Sequence, residues 1–162
     1  MLQPNAGSAH EGRSLDSSRS VPLRPCTNRV LHAEFRTRPP LRLFLDELDY
    51  TRGQAAAIEV LGEAGTSLLS YCLLPDRLVL VMAGQSTLAS ARVAQLQACL
   101  DALFRLRHGQ MPPPCRITLR TLERAQDLAR LCTRIRQLPV ALGLADSPRA
   151  WGWVGPKPLI HT

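Results

Sequence analysis

The chain has 162 residues, enough for one domain with tails that buries its own core without disulfide or metal staples. Apolar residues make up 45 % of it, the net charge is +7 and the pI is about 9.9, with Lys157 the only lysine among its cations. This composition excludes a chain too polar to fold, and the lack of any apolar run long enough to span a bilayer argues against a membrane partner.

Arginine keeps its charge and offers a planar fork of donors that matches phosphate oxygens. A codon preference accounts for arginine over lysine but not for the excess of base over acid, which points to nucleic acid or another anionic partner. The cysteines, Cys26, Cys72, Cys99, Cys115 and Cys132, form no C-x-x-C pair. Four lie in apolar stretches, which predicts reduced thiols and a cytoplasmic protein, nucleoid-associated where its anionic partner is DNA.

Residues 1–28 are rich in Ser, Gly, Pro and scattered charge and predict a disordered arm without a signal-peptide core. A strand is expected from Arg29 to Thr37, ended by Pro39 and Pro40. Asp46, Asp49 and Thr51 offer caps for a helix through Ala64, stopped at Gly65, with Ala55, Ile58, Leu61 and Ala64 as its buried stripe. Two strands follow, Thr66–Leu74 and Arg77–Met82, joined at Pro75 and Asp76. A second helix runs from Thr87 to His108 with Leu88, Val93, Leu96, Leu100 and Leu103 inward, cations in its last turn and Gly109 as its stop. After a linker at Pro112–Pro114 comes a strand, Cys115–Arg120. Thr121 then caps a third helix through Gln137, with Leu122, Ala125, Leu128, Cys132 and Ile135 inward, ended by Pro139. Trp151 and Trp153 are expected to anchor the irregular C-terminus.

The order β-α-β-β-α-β-α predicts an α+β domain over residues 29–155, followed by a tail over residues 156–162. Its plan is a ferredoxin-like antiparallel sheet with the helices packed on one face and the other face free.

Charge concentrates late in the chain. Eight arginines lie between Leu103 and Arg136, opposed only by Glu123 and Asp127, for a local balance of +6. Arg130 and Arg134 fall one helical turn apart, opposite the apolar stripe. The nucleic-acid contacts expected from this pattern are Arg36, Arg77, Arg116, Arg120, Arg130 and Arg134. Few aromatics accompany them, so base stacking gains little support.

Three segments together resemble the insertion-sequence-200-like transposases, and among them the REP-associated tyrosine transposases. The first is Val30–Arg36 (VLHAEFR) with Phe44–Tyr50 (FLDELDY). The second is Ser70–Val81 (SYCLLPDRLVLV). The third is Ile135–Leu144 (IRQLPVALGL) with Pro148–Trp153 (PRAWGW). The resemblance covers residues 29–155. It implies the family's α+β fold and an HUH nuclease ancestry. In that chemistry two strand histidines hold a divalent metal such as Mg or Mn, and a helix tyrosine attacks a DNA phosphate.

The chain departs from the family at those positions. Arg77 and Val79 stand where the resemblance implies histidines, and Arg134 stands where it implies the tyrosine. A guanidinium has no lone pair for a metal, valine has no donor atom, and neither arginine nor valine forms a phenolate. No metal ligand and no catalytic residue is therefore expected. If Arg134 occupies the tyrosine's place it should project toward Arg77, and two facing guanidiniums require a carboxylate such as Asp76 or a bound anion. The preferred reading is a transposase-like, catalytically inactive protein that binds hairpin or single-stranded DNA. Two alternatives stay open: an active transposase or endonuclease with an unrecognised catalytic set, and a protein-interaction module or homodimer using the sheet face carrying Val79 and Val81.

Overall fold

The computed structural model describes residues 28–156. The tails at residues 1–27 and 157–162, and with them nearly all of the arm and the C-terminal tail expected from the sequence, lie outside the described residues.

Five strands form one antiparallel sheet in the order β4-β1-β3-β2-β5. They are β1 (Arg29–Thr37), β2 (Thr66–Leu74), β3 (Arg77–Gly84), β4 (Cys115–Thr121) and the two-residue β5 (Val154–Gly155). Three helices complete the fold: α1 (Glu47–Leu61), α2 (Ser86–His108) and α3 (Ala125–Ala141). The α+β class and the element order agree with the sequence reading; β5 is an addition. The sequence carries no strand signal for it, because its pairing rests on Tyr71 and Cys72 rather than on its own two residues.

β1 alternates as a strand with two unlike faces must. Leu31, Ala33, Phe35 and Thr37 are buried, while His32, Glu34 and Arg36 point the other way. β3 holds the middle of the sheet and is apolar on both faces, with Leu78, Leu80 and Met82 on one and Val79 and Val81 on the other.

The helices are not all on one face, and here the structure corrects the expected layering. α1 and α2 cover the face carrying Leu31, Phe35, Leu78, Leu80 and Met82 and close the larger core. α3 crosses to the opposite face. Its Ile135 is 2 % exposed and joins Cys72, Leu74, Val79 and Val81 in a second core, with Leu128, Leu131 and Leu138 packed against it. A β-bulge between Leu68 and Ser70 serves this two-sided arrangement, because Leu68 packs toward the first core and Leu69 toward the second.

Helix boundaries and phases differ from expectation in physically legible ways. Asp46 caps α1 by accepting a bond from the Asp49 N–H at 2.9 Å. The helix ends at Gly62 rather than Gly65. Its buried side is Tyr50, Gly53, Ala57, Val60 and Leu61, so Ala55, Ile58 and Ala64 are exposed. Gly53 sets that phase, for the Phe44 ring lies where a Cβ would stand, 2.5 Å from it. In α2, Val93, Leu96 and Leu100 are buried as expected, and Gly109 closes it at φ 62°.

Thr121 does not cap α3; it stays in β4, paired with Leu31. Pro139 does not end α3 either. Proline removes one N–H and keeps a helical φ. The ring is fully buried, and its carbonyl accepts the Leu144 N–H at 2.8 Å, so packing offsets the lost bond. Trp151 and Trp153 anchor the C-terminus as expected. Trp151 Nε1 donates to the Leu73 carbonyl at 2.8 Å, and Trp153 stacks on Tyr50 at 5.4 Å. Cys72, Cys99, Cys115 and Cys132 are free thiols, though only Cys72 is fully buried.

Candidate nucleic-acid interface

Residues paired across antiparallel strands present their side chains on one face. On the α3 side of the sheet the register sets Arg77, Arg36 and Arg116 in one row across β3, β1 and β4. The next row is Val79, Glu34 and Thr118, and the one beyond is Val81, His32 and Arg120. α3 covers the valines on β3 and leaves the arginine positions of β1 and β4 uncovered, with His32, Glu34 and Thr118 half-buried between them. Arg36, Arg116 and Arg120 are exposed there.

From α3, the exposed Arg130 and Arg134 overhang the same half of the sheet. Beside them opens a cleft of about 320 Å³ lined by Leu122, Asp127, Arg130, Leu131 and Arg134. None of Arg36, Arg116, Arg120, Arg130 and Arg134 forms an ion pair among the described residues. Five guanidiniums without ion-pair partners thus share this side of the sheet: Arg130 and Arg134 line the cleft, Arg120 stands in the His32 row, and Arg36 and Arg116 lie roughly 13 Å further along the strands.

Arg77 differs from the other five. Its guanidinium grips Asp76 through two hydrogen bonds, Nε at 3.0 Å and Nη2 at 2.9 Å, and approaches Glu34 at 3.8 Å. The Asp76 bond raises the Arg77 pKa further. Burial pushes the Asp76 carboxyl up, but Arg77's hydrogen bond and charge outweigh it and hold the group low. Asp76 thus neutralises Arg77 without Arg134 facing it. The expected approach of Arg134 is not seen: the side chains that bear on Arg77 are Asp76, Glu34 and Cys72. The rows explain why. Arg77 and the His32–Arg120 row stand four residues apart along the strands, roughly 13 Å. Arg134's charge bears on the latter row.

His32 is the polar side chain that row encloses. Its Nε2 is buried and has no hydrogen-bond partner. Burial lowers its pKa, Glu34 opposes that, and the charges of Arg134 and Arg120 lower it again. The alternation of β1 already places His32, Glu34 and Arg36 on one face. Glu34's part in holding Arg77 was not anticipated, because it depends on the β1–β3 register.

Arg107 and His108, from the same basic stretch, go elsewhere. Arg107 binds Asp46 at 2.9 Å and also Asp49 at the start of α1, and His108 Nε2 lies 3.0 Å from Asp49. That cluster ties α2 to α1 in the other layer.

The chain has two tyrosines, and both belong to the first core. Tyr50 lies among Phe44, Trp151 and Trp153, and burial pushes its hydroxyl up to about 12. Tyr71 accepts a bond from Gln54 Nε2 at 2.9 Å, and burial raises its pKa as well. Neither reaches the arginine side of the sheet. The positions that would hold a divalent metal do not fit one: Arg77 is a cation already bonded to Asp76, and Val79 is packed under α3 at 4 % exposure. Among the described residues no group of three or more His, Cys, Asp and Glu side chains is placed to bind a metal ion. Val81 is buried with Val79 in the second core, so the apolar sheet surface suggested as a protein-binding face is covered by α3.

No protein-family model matches the chain, and no curated protein sequence does. Among solved structures, the fold is similar to that of a REP-associated tyrosine transposase bound to a REP hairpin. The TM-score is 0.63 at 14 % identity, over 78 % of this chain and 75 % of that one. The likeness shows that this chain has the transposase-type α+β fold. An amidase of the hydantoinase/carbamoylase family from Burkholderia phymatum is also similar at 16 % identity, over 73 % of this chain and 34 % of that one; its TM-score of 0.24 carries no argument. No helix among the described residues is long and apolar enough to cross a membrane.

Proposed function

We propose that this protein is a divergent relative of the REP-associated tyrosine transposases that binds hairpin or single-stranded DNA and does not cleave it. The carrying observation is the α3 side of the sheet, where Arg36, Arg116 and Arg120 on the strands and Arg130 and Arg134 on α3 stand exposed without ion-pair partners among the described residues. A phosphate backbone supplies the missing anions, and releases its counterions when it does so. The fold neighbour's hairpin supports the same ligand class.

Cleavage would need a nucleophile on this side. The tyrosine that would act there by the resemblance is replaced by Arg134, and both tyrosines of the chain lie on the far side of the sheet. Arg77 contributes less than its neighbours, because Asp76 and Glu34 already offset its charge.

A salt-titrated binding assay on hairpin against duplex DNA tests this reading. Five free guanidiniums predict a slope of log K against log salt of about −3.5 to −4.5. Arg134→Ala should flatten the slope by about 1, and Arg77→Ala should flatten it less. Salt-insensitive binding refutes the proposal. Incubation with hairpin DNA and magnesium or manganese tests the other half: a covalent protein–DNA adduct refutes the absence of cleavage.

A further inference from the structure

The arginines of this face are side chains that any polyanion would meet. His32 is different, since it lies beneath them with its Nε2 buried and unpartnered. A buried polar atom without a partner is costly unless something occupies it in use. Arg120 is its neighbour across the β1–β4 pair, and Arg134 on α3 stands near enough for its charge to bear on the imidazole. We propose that His32 Nε2, Arg120 and Arg134 together form a binding site for one phosphate group, with the imidazole as the deep donor and the two guanidiniums as the outer clamp.

The inference rests on the nucleic-acid reading and deepens it by assigning one particular phosphate contact. Arg120 and Arg134 supply planar forks that match phosphate oxygens. The imidazole supplies a single directed bond, and only its protonated form donates from both nitrogens. In the free protein burial lowers the pKa of the imidazole, Glu34 opposes that, and the charges of Arg134 and Arg120 lower it again. The groups facing it are therefore Glu34 on its own strand, Arg120 on β4 and Arg134 on α3, with uncharged Val81 opposite on β3. A phosphate between the arginines reverses the balance by adding negative charge next to the ring.

The site is then linked to a proton. Affinity is highest below the free-state pKa of His32, which burial holds below the ordinary histidine value. It falls as pH rises toward the higher pKa of the occupied state, and levels off above that. One proton sets a limit of about tenfold per pH unit on the slope.

Sulfate is the probe, because its charge is constant over this range and only protons on the protein are counted. At fixed ionic strength, the His32 ring signals are followed by NMR as sulfate and pH are varied. The expected result is a rise in the His32 pKa on adding sulfate. Sulfate should bind Arg120→Ala or Arg134→Ala about tenfold more weakly. His32→Gln keeps an amide donor near the same place without titrating, so it should retain binding with the pH dependence gone. A His32 ring that does not respond to sulfate overturns the inference, as does a His32→Gln protein whose sulfate affinity keeps the wild-type pH dependence. Steep salt dependence on hairpin DNA alongside either result leaves the proposed function standing. Coupled sulfate binding without any hairpin binding keeps the site and sinks the nucleic-acid reading.

Discussion

Replacing Ile135 by alanine tests whether α3 is held by a core of its own. Ile135 is 2 % exposed and is the fully packed hydrophobe that α3 drives between Cys72, Leu74, Val79 and Val81. Truncating a buried isoleucine costs the lost transfer energy plus the cavity left behind, typically 2–5 kcal/mol. The half-buried Leu128, Leu131 and Leu138 around it can settle inward, which places this site in the lower half of that range, at about 3 kcal/mol. Ile135→Val leaves most of the volume filled and should cost about 1 kcal/mol. Urea unfolding followed by far-ultraviolet circular dichroism measures both. With a slope of about 2 kcal/mol per molar urea, the midpoint should fall by roughly 1.5 M for alanine and 0.5 M for valine. A loss below about 1 kcal/mol for Ile135→Ala would show that α3 does not seal a second core. The placement of Arg130 and Arg134 above the sheet would then lose its basis.

Two further predictions concern the first layer. Gly53→Ala gains up to about 1 kcal/mol of helix propensity but drives a methyl into the Phe44 ring, an overpacking that costs about 1–3 kcal/mol. The net expectation is a lower thermal midpoint, and a raised one refutes the close packing of α1 on Phe44. Asp46 is held at about 2, first by the Arg107 side chain and then by the Asp49 backbone N–H. Its folded-state pKa is depressed, so its stabilisation is complete above the ordinary aspartate value of 3.8 and is lost as pH falls toward about 2. The thermal midpoints of wild type and Asp46→Asn should therefore differ at neutral pH and converge through that acid window; a constant gap refutes the assignment.

The strands were legible in the sequence because each carries its own period. His32, Glu34 and Arg36 alternate with Leu31, Ala33 and Phe35, and β3 shows apolar residues on both sides. The layering was not legible in the same way. A helical stripe says which side of α3 is buried, but not which face of the sheet receives it. The phase of α1 was also hidden. Ala55, Ala56, Ala57 and Ile58 are apolar in every direction, and the choice among them falls to Phe44 pressing on Gly53. On the α3 side of the sheet, the arginines could be named from charge alone. Their grouping could not, since Arg77 and Arg134 are separated by a register that only the paired strands define. Arg107, adjacent in sequence to the same charge cluster, serves the other layer.

The position of β4 has a consequence for how the protein behaves in solution. It is the outer strand of the sheet, and among the described residues no strand pairs with its far side. Open strand edges invite other chains to add to them. Arg116 and Arg120 stand along this one, so a second copy approaching antiparallel would bring like charges together. These arginines therefore also keep the edge from aggregating. An anion that neutralises them relaxes that protection at the same moment, so colloidal stability and ligand occupancy oppose each other along a single strand.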